Sequence, residues 1–263
     1  MLRTSELVSI VYFLSLAALA WRESAPRSAR LRTSVAAAAV AGAVLLASSA
    51  DAVVRDWLPA LLLPLSYWLP AALVSRPLVP FERWLMAWDD RFFASAPGRA
   101  IGRAPRPVRE VFELAYLAVY PMVPAAFAVL LGAGLRADAD RFWTTVLAAE
   151  YSCYILLPLV PTRPPRAIEK GSSHRGRDAL GRRINLAVLG RASNQWNTFP
   201  SGHVAGAVAC ALAMLPVLPG AGIALLALAG LIAVGSIAGR YHYLADAAAG
   251  AAVACAAAAL FAL

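Results

Sequence analysis

The chain has 263 residues, 60% hydrophobic and 15% charged, with a mean hydropathy of +0.64, which is too apolar for a soluble domain of this length. Its formal charge of +9 would point to nucleic acid in a soluble protein. Here the arginines fall in short loops between apolar runs, where membrane topology and anionic headgroups account for them, so the expected partner is the lipid bilayer and not nucleic acid.

Apolar runs of about 20 residues, the length that crosses a hydrocarbon core, fall at 6–21, 34–54, 57–75, 111–135, 142–161, 201–217, 219–238 and 244–262. They predict an all-α, polytopic membrane helical bundle of about eight spans. The first run has Arg3 before it and Ala18-Leu19-Ala20 near its end, as a signal peptide would, but Glu6 and the arginines after Trp21 favour an uncleaved anchor. The third run contains Pro59, Pro64 and Pro70. Each removes a backbone donor, which predicts a kinked, broken or re-entrant segment and a count of seven if it does not cross.

Between Arg76 and Arg109, charges mix with Trp84, Trp88, Phe92 and Phe93, a composition suited to amphipathic helices in the headgroup region. Asp89 and Asp90 read as the polar face of such a helix. Glu150, inside the fifth run, is expected to pair with an arginine. The cysteines Cys153, Cys210 and Cys255 lie in apolar runs without metal-ligand spacing and read as packing residues.

The loop from 162 to 199 carries Arg163, Arg166, Lys170, Arg175, Arg177, Arg182, Arg183 and Arg191 against Glu169 and Asp178. Most of these charges fit a positive-inside loop, and His174 within it reads as a solvated histidine. Arg163 and Arg166 differ, because the proline-stiffened exit Pro161-Thr162-Arg163-Pro164-Pro165-Arg166 holds rigid guanidinium forks at the boundary, where they suit phosphate oxygens.

Pro200-Ser201-Gly202-His203 opens the next run. The amides of Ser201 and Gly202 and the serine hydroxyl therefore sit at a helix N-terminus, which favours an anion. His203 beside a bound phosphate would be the general acid for the leaving alkoxide. His242 and Asp246 are four residues apart and share a helix face. The carboxylate would orient the imidazole and leave one ring nitrogen free to attack phosphorus, making His242 the nucleophile. Arg240 fits equally as a phosphate contact and as an anchor for the last helices.

These residues resemble the type 2 phosphatidic acid phosphatase (PAP2) superfamily, membrane phosphatases related to vanadium haloperoxidases, and within it the branch similar to inositol phosphorylceramide synthases. The second motif of that superfamily, Pro-Ser-Gly-His, is complete at Pro200 to His203, and Asn197-Thr198-Phe199 before it looks like the synthase-like branch. The third motif keeps His242 and Asp246, but its Ser-Arg pair falls on Gly235 and Ser236, with an arginine only at Arg240. The first keeps Arg163-Pro164, with Leu156 at the lysine position.

The resemblance covers roughly Ala87 to the C-terminus. It implies two added N-terminal helices over 1–56 and a catalytic membrane domain over 57–263 built on a six-helix core, with the three motifs meeting at one membrane face. It also implies a phosphohistidine intermediate, no metal or other cofactor, and a phospholipid, polyprenyl or sphingoid phosphate as substrate. Attack by water would hydrolyse a phosphate monoester or pyrophosphate. Attack by an alcohol would transfer a phosphoinositol or phospho-sugar headgroup, and a non-catalytic lipid binder or transporter is the third reading. The resemblance points to a bacterial inner membrane with an extracytoplasmic site, whereas the arginines between Arg22 and Arg32 and those of the 162–199 loop call the same face cytoplasmic by the charge rule.

Overall fold

A computed structural model describes residues 1–22, 25–169 and 179–261. Lys170, His174, Arg175, Arg177 and Asp178 of the basic loop lie outside the described residues. The described chain is all-α: α1 (Thr4–Leu19), α2 (Arg27–Ala47), α3 (Ala52–Ala71), α4 (Val79–Ala94), α5 (Ala96–Gly102), α6 (Arg106–Gly132), α7 (Ala139–Tyr154), α8 (Pro165–Ile168), α9 (Leu180–Ala192), α10 (Gly202–Met214), α11 (Pro219–Ala238) and α12 (Leu244–Leu260). No strand occurs among the described residues beyond one isolated antiparallel bridge, Thr162 to Asn197.

By length and composition α2, α6 and α11 can each cross a membrane, and α1, α10 and α12 are shorter apolar helices; together they mark a membrane protein. Contacts fix the relative directions of α1, α7 and α10. Asp140 at the start of α7 accepts from the Ser5 amide and hydroxyl of α1, and Tyr12 stacks on Tyr151 further along, so α1 and α7 run parallel. The last residue of α7, Tyr154, touches Gly202 at the start of α10, which makes α7 and α10 antiparallel. The arginines following α1 thus lie at the same end as the two histidines.

The third run folds as one helix, Ala52–Ala71, unbroken by its prolines. Asp51 caps it by accepting from the amides of Val53 and Val54. Its 20 residues span about 30 Å; Asp56 near one end is clamped by Arg3 and Arg136, and the ring of Tyr67 toward the other lies 6.4 Å from that of His203. Pro70 leaves the Ser66 carbonyl without its helical donor, and the Tyr12 hydroxyl of α1 donates to it at 2.7 Å. A neighbouring helix thus repairs the proline defect in place.

α7 is buried on nearly all sides, through Phe142, Trp143, Val146, Leu147, Ala149, Tyr151, Cys153 and Tyr154. A single hydrophobic cluster joins it to Phe13 and Leu16 of α1, Phe127 of α6, and Cys210 and Met214 of α10. Far from the histidines, polar contacts close the bundle: Arg55 to Glu6 at 2.7 Å, Arg3 to Asp56 at 2.7 Å and Arg136 to Asp56 at 2.9 Å. Glu150 departs from expectation. None of the described ion pairs includes it; its carboxylate packs against Gly206 and the Tyr154 hydroxyl instead, because α7 faces alanine-rich helices there and not a basic loop.

Gly250 sets the seam between α12 and α10, since a Cβ there would lie 2.4 Å from the Ser201 carbonyl oxygen. Gly250→Ala is expected to lower stability by about 1–3 kcal/mol through overpacking against backbone. Thermal unfolding in detergent measures it, and an unchanged midpoint would contradict the seam.

Candidate active site

The turn between α11 and α12 is tied by the Ser236 carbonyl, which accepts from the amides of Tyr241 and His242 at 2.9 and 3.1 Å. It delivers His242 to the head of α12, where Asp246 lies one helical turn on. The His242 Nδ1 to Asp246 Oδ2 distance is 3.2 Å, and Asp246 is fully buried. With Nδ1–H donating to the carboxylate, Nε2 is the ring nitrogen left for chemistry. Asn197 holds the same carboxylate oxygen at 2.6 Å through its side-chain NH2, and also donates to Thr162 Oγ1 at 3.2 Å. Its backbone forms the bridge to Thr162, so one residue ties the Arg163 segment, the loop before α10 and α12 together.

α10 brings the second histidine. The His203 and His242 rings have centroids 5.4 Å apart. Tyr116 and Tyr120 of α6 approach His203 at 5.6 and 5.8 Å, and Tyr116 stacks on Tyr241 at 4.2 Å. His203 Nδ1 is buried and accepts or donates no hydrogen bond among the described residues. Both histidines line one cavity with Arg166, Tyr67, Tyr116, Trp196, Asn197 and Tyr241. A larger cavity of about 920 Å³ is lined by Arg99, Arg103, Arg109 and Arg240 among others, and neither histidine lines it; the cavity that holds both histidines is therefore the candidate site.

The two candidate arginines separate clearly. Arg166 lines the histidine cavity with its guanidinium 5.4 Å over the Tyr241 ring, and burial pulls it below the usual arginine range. Arg163 grips Glu82 of α4 through Nε at 3.1 Å and Nη2 at 2.7 Å, bonds that raise its pKa. It is not among the cavity residues.

Arg240 likewise points away, to Asp89 and Glu169. Ser201 caps α10 with its side-chain oxygen, and its amide donates to the Asp246 carbonyl at 3.0 Å; the Gly202 amide donates to Thr198 Oγ1 at 3.1 Å. Neither Ser201 nor Gly202 is among the residues that line the cavity. Gly202 is required for close approach, because a Cβ would meet the Tyr154 ring at 2.2 Å. The described residues contain no cluster of three or more His, Cys, Asp or Glu side chains able to hold a metal.

A family model described as the PAP2 superfamily matches residues 83–260. The chain belongs to the PAP2 superfamily. No curated protein and no solved structure matches it. Membership supports an enzyme of phosphatase or phosphotransferase type that acts on lipid phosphates.

Several residues of this PAP2 chain that shape the site carry little signal in the sequence. Asp89 does not lie on the outward polar face of an interfacial helix: it is fully buried and accepts from the Leu244 amide at 2.8 Å. Glu82, buried as well, was not singled out in sequence, nor was Asn197 beyond its place in a motif, nor the tyrosines around His203. Asn197 was the easiest to find, since it stands six residues before His203 in an otherwise recognisable stretch. Tyrosines in apolar runs carry no such signal.

Proposed function

We propose that this PAP2 chain hydrolyses a lipid phosphate monoester or pyrophosphate through a phosphohistidine. The observation that carries the reading is the pairing of His203 and His242, 5.4 Å apart, with Asp246 on one side of His242 and Arg166 in the same cavity. In the first step His242 Nε2 attacks the terminal phosphorus and its bond to the leaving oxygen breaks, that oxygen belonging to the lipid alkoxide of a monoester or to the lipid phosphate of a pyrophosphate. Protonated His203 gives its proton to the departing oxygen. In the second step water attacks the phosphohistidine, His203 takes the water's proton, and the P–N bond breaks to release inorganic phosphate.

Arg166 faces the charge that builds on the phosphoryl oxygens, the electrostatic contribution that dominates such transfers. Asp246 stabilises the imidazolium character of His242 as its Nε2 bonds to phosphorus. We place the chain, on the family resemblance, in a bacterial inner membrane with an extracytoplasmic site and nearest the inositol phosphorylceramide synthase-like branch.

The test is phosphate release by purified protein in detergent from phosphatidic acid, a polyprenyl pyrophosphate and a sphingoid phosphate. Release from at least one is expected. If none releases phosphate, but adding phosphatidylinositol and an acceptor lipid yields a new phospholipid, water is not the acceptor and the chain is a transferase.

A further inference from the structure

Beside the cavity stands a second ionic centre that plays no part in the chemistry above. Glu82 and Asp89 are seven residues apart, two helical turns, and so share one face of α4. Both are buried, at 2% and 0% exposure, unlike the tryptophans Trp84 and Trp88 on the outward face of the same helix. Glu82 takes the Arg163 amide at 2.7 Å as well as its guanidinium, and so holds the start of the loop that carries Arg166. Asp89 takes the first amide of α12, Leu244, at 2.8 Å with one oxygen and Arg240 Nη1 at 2.5 Å with the other.

Arg240 is the joint between these grips. Its backbone has φ +58°, a left-handed conformation uncommon outside glycine that surrounding structure must hold in place. Its side chain is held by Asp89 and by Glu169, with the guanidinium 5.0 Å over the Phe93 ring. The carbonyl exposed by this turn accepts the Arg166 amide at 3.0 Å. Two residues later the chain reaches His242. The residue that turns the backbone toward the candidate nucleophile therefore also fixes the candidate phosphate-binding arginine.

We propose that α4 is the positioning element of this site: Asp89 and Arg240 are positioning residues that set His242 against Arg166, and Arg240 does not bind phosphate. The proposal rests on the functional reading given above. It explains how a chain with serine at position 236 keeps an arginine at 240 for a different purpose.

Full-length Asp89→Asn, Arg240→Lys and the double variant, in detergent, test it. Asn keeps an acceptor for Leu244 but loses the charge, and Lys cannot bridge two carboxylates with a planar fork. Each single variant is expected to lower kcat about a hundredfold, the loss that goes with a shift of about 1 Å in a reacting group. The double variant is expected to lose no more than either, because one clasp is broken in all three. KM for the lipid phosphate and the inhibition constant of inorganic phosphate should stay within about threefold of wild type.

Losses that multiply in the double variant would overturn the clasp. So would phosphate inhibition weakened about tenfold or more in Arg240→Lys, the mark of a lost ligand. Amide hydrogen exchange separates this outcome from failure of the functional reading: Asp89→Asn should deprotect the segments around Arg166 and Leu244 together, whether or not any lipid is cleaved. Unchanged exchange in both would sink the proposal alone, and absence of phosphate release by wild type would sink the functional reading alone.

Discussion

His242→Ala should abolish phosphate release, with a loss of at least about 10⁴-fold in kcat, while the protein stays folded. The imidazole is the group that forms the bond to phosphorus, and removing a nucleophile leaves only the background from binding and electrostatics. Folding should survive because the His242 side chain makes one described hydrogen bond, to Asp246, and Asp246 keeps its bond from Asn197. The backbone amide of residue 242 still reaches the Ser236 carbonyl in the variant. Phosphate release assayed beside thermal unfolding checks both halves, and activity within about tenfold of wild type would remove His242 from the nucleophile's role.

His203→Ala should behave differently, and the difference identifies its role. With an alkyl lipid phosphate the leaving alkoxide needs a proton, and losing a general acid is expected to cost about 10²–10⁴-fold. With an aryl phosphate whose leaving group is stable as an anion, the first step should proceed nearly at the wild-type rate. Hydrolysis of the phosphohistidine still needs a proton acceptor for the attacking water, so the phosphoenzyme should build up and a burst of the phenolate should precede slow turnover. The variant is also expected to fold, because His203 sits among Tyr67, Tyr116 and Tyr120 as a ring neighbour and its Nδ1 anchors nothing among the described residues. Equal losses in the rate of the first step, read as the burst, on alkyl and aryl substrates would show that His203 positions the substrate instead of protonating it.

Sequence periodicity carried part of this picture and not the rest, for physical reasons. The spacing of four between His242 and Asp246 is a local property of a helix, so it was readable without any fold, and the two side chains lie 3.2 Å apart. The helix start at Ser201 was equally local, since Pro200-Ser201-Gly202 caps α10 with its own side chain. α3 was harder. Its prolines announce a loss of donors, but the tyrosine that compensates comes from a helix 54 residues earlier in sequence.

Asp89 failed for a related reason: charges beside Trp88 match an interfacial face, and the partner that buries one of them, Arg240, stands 151 residues away. Which of Arg163 and Arg166 enters the cavity could not be read either, because that depends on Glu82 reaching one and leaving the other. In each case the deciding contact is long-range, and no period or motif encodes it.

The most direct test of the central claim is to trap the intermediate. Radiolabelled lipid phosphate mixed with the purified protein and quenched within milliseconds in alkali should leave a protein-bound label that is stable in base and lost in acid, as a P–N bond requires. Peptide mapping should place the label on His242, and His242→Ala should carry none. Phosphate release without any such label, or a label on another residue, would contradict the account.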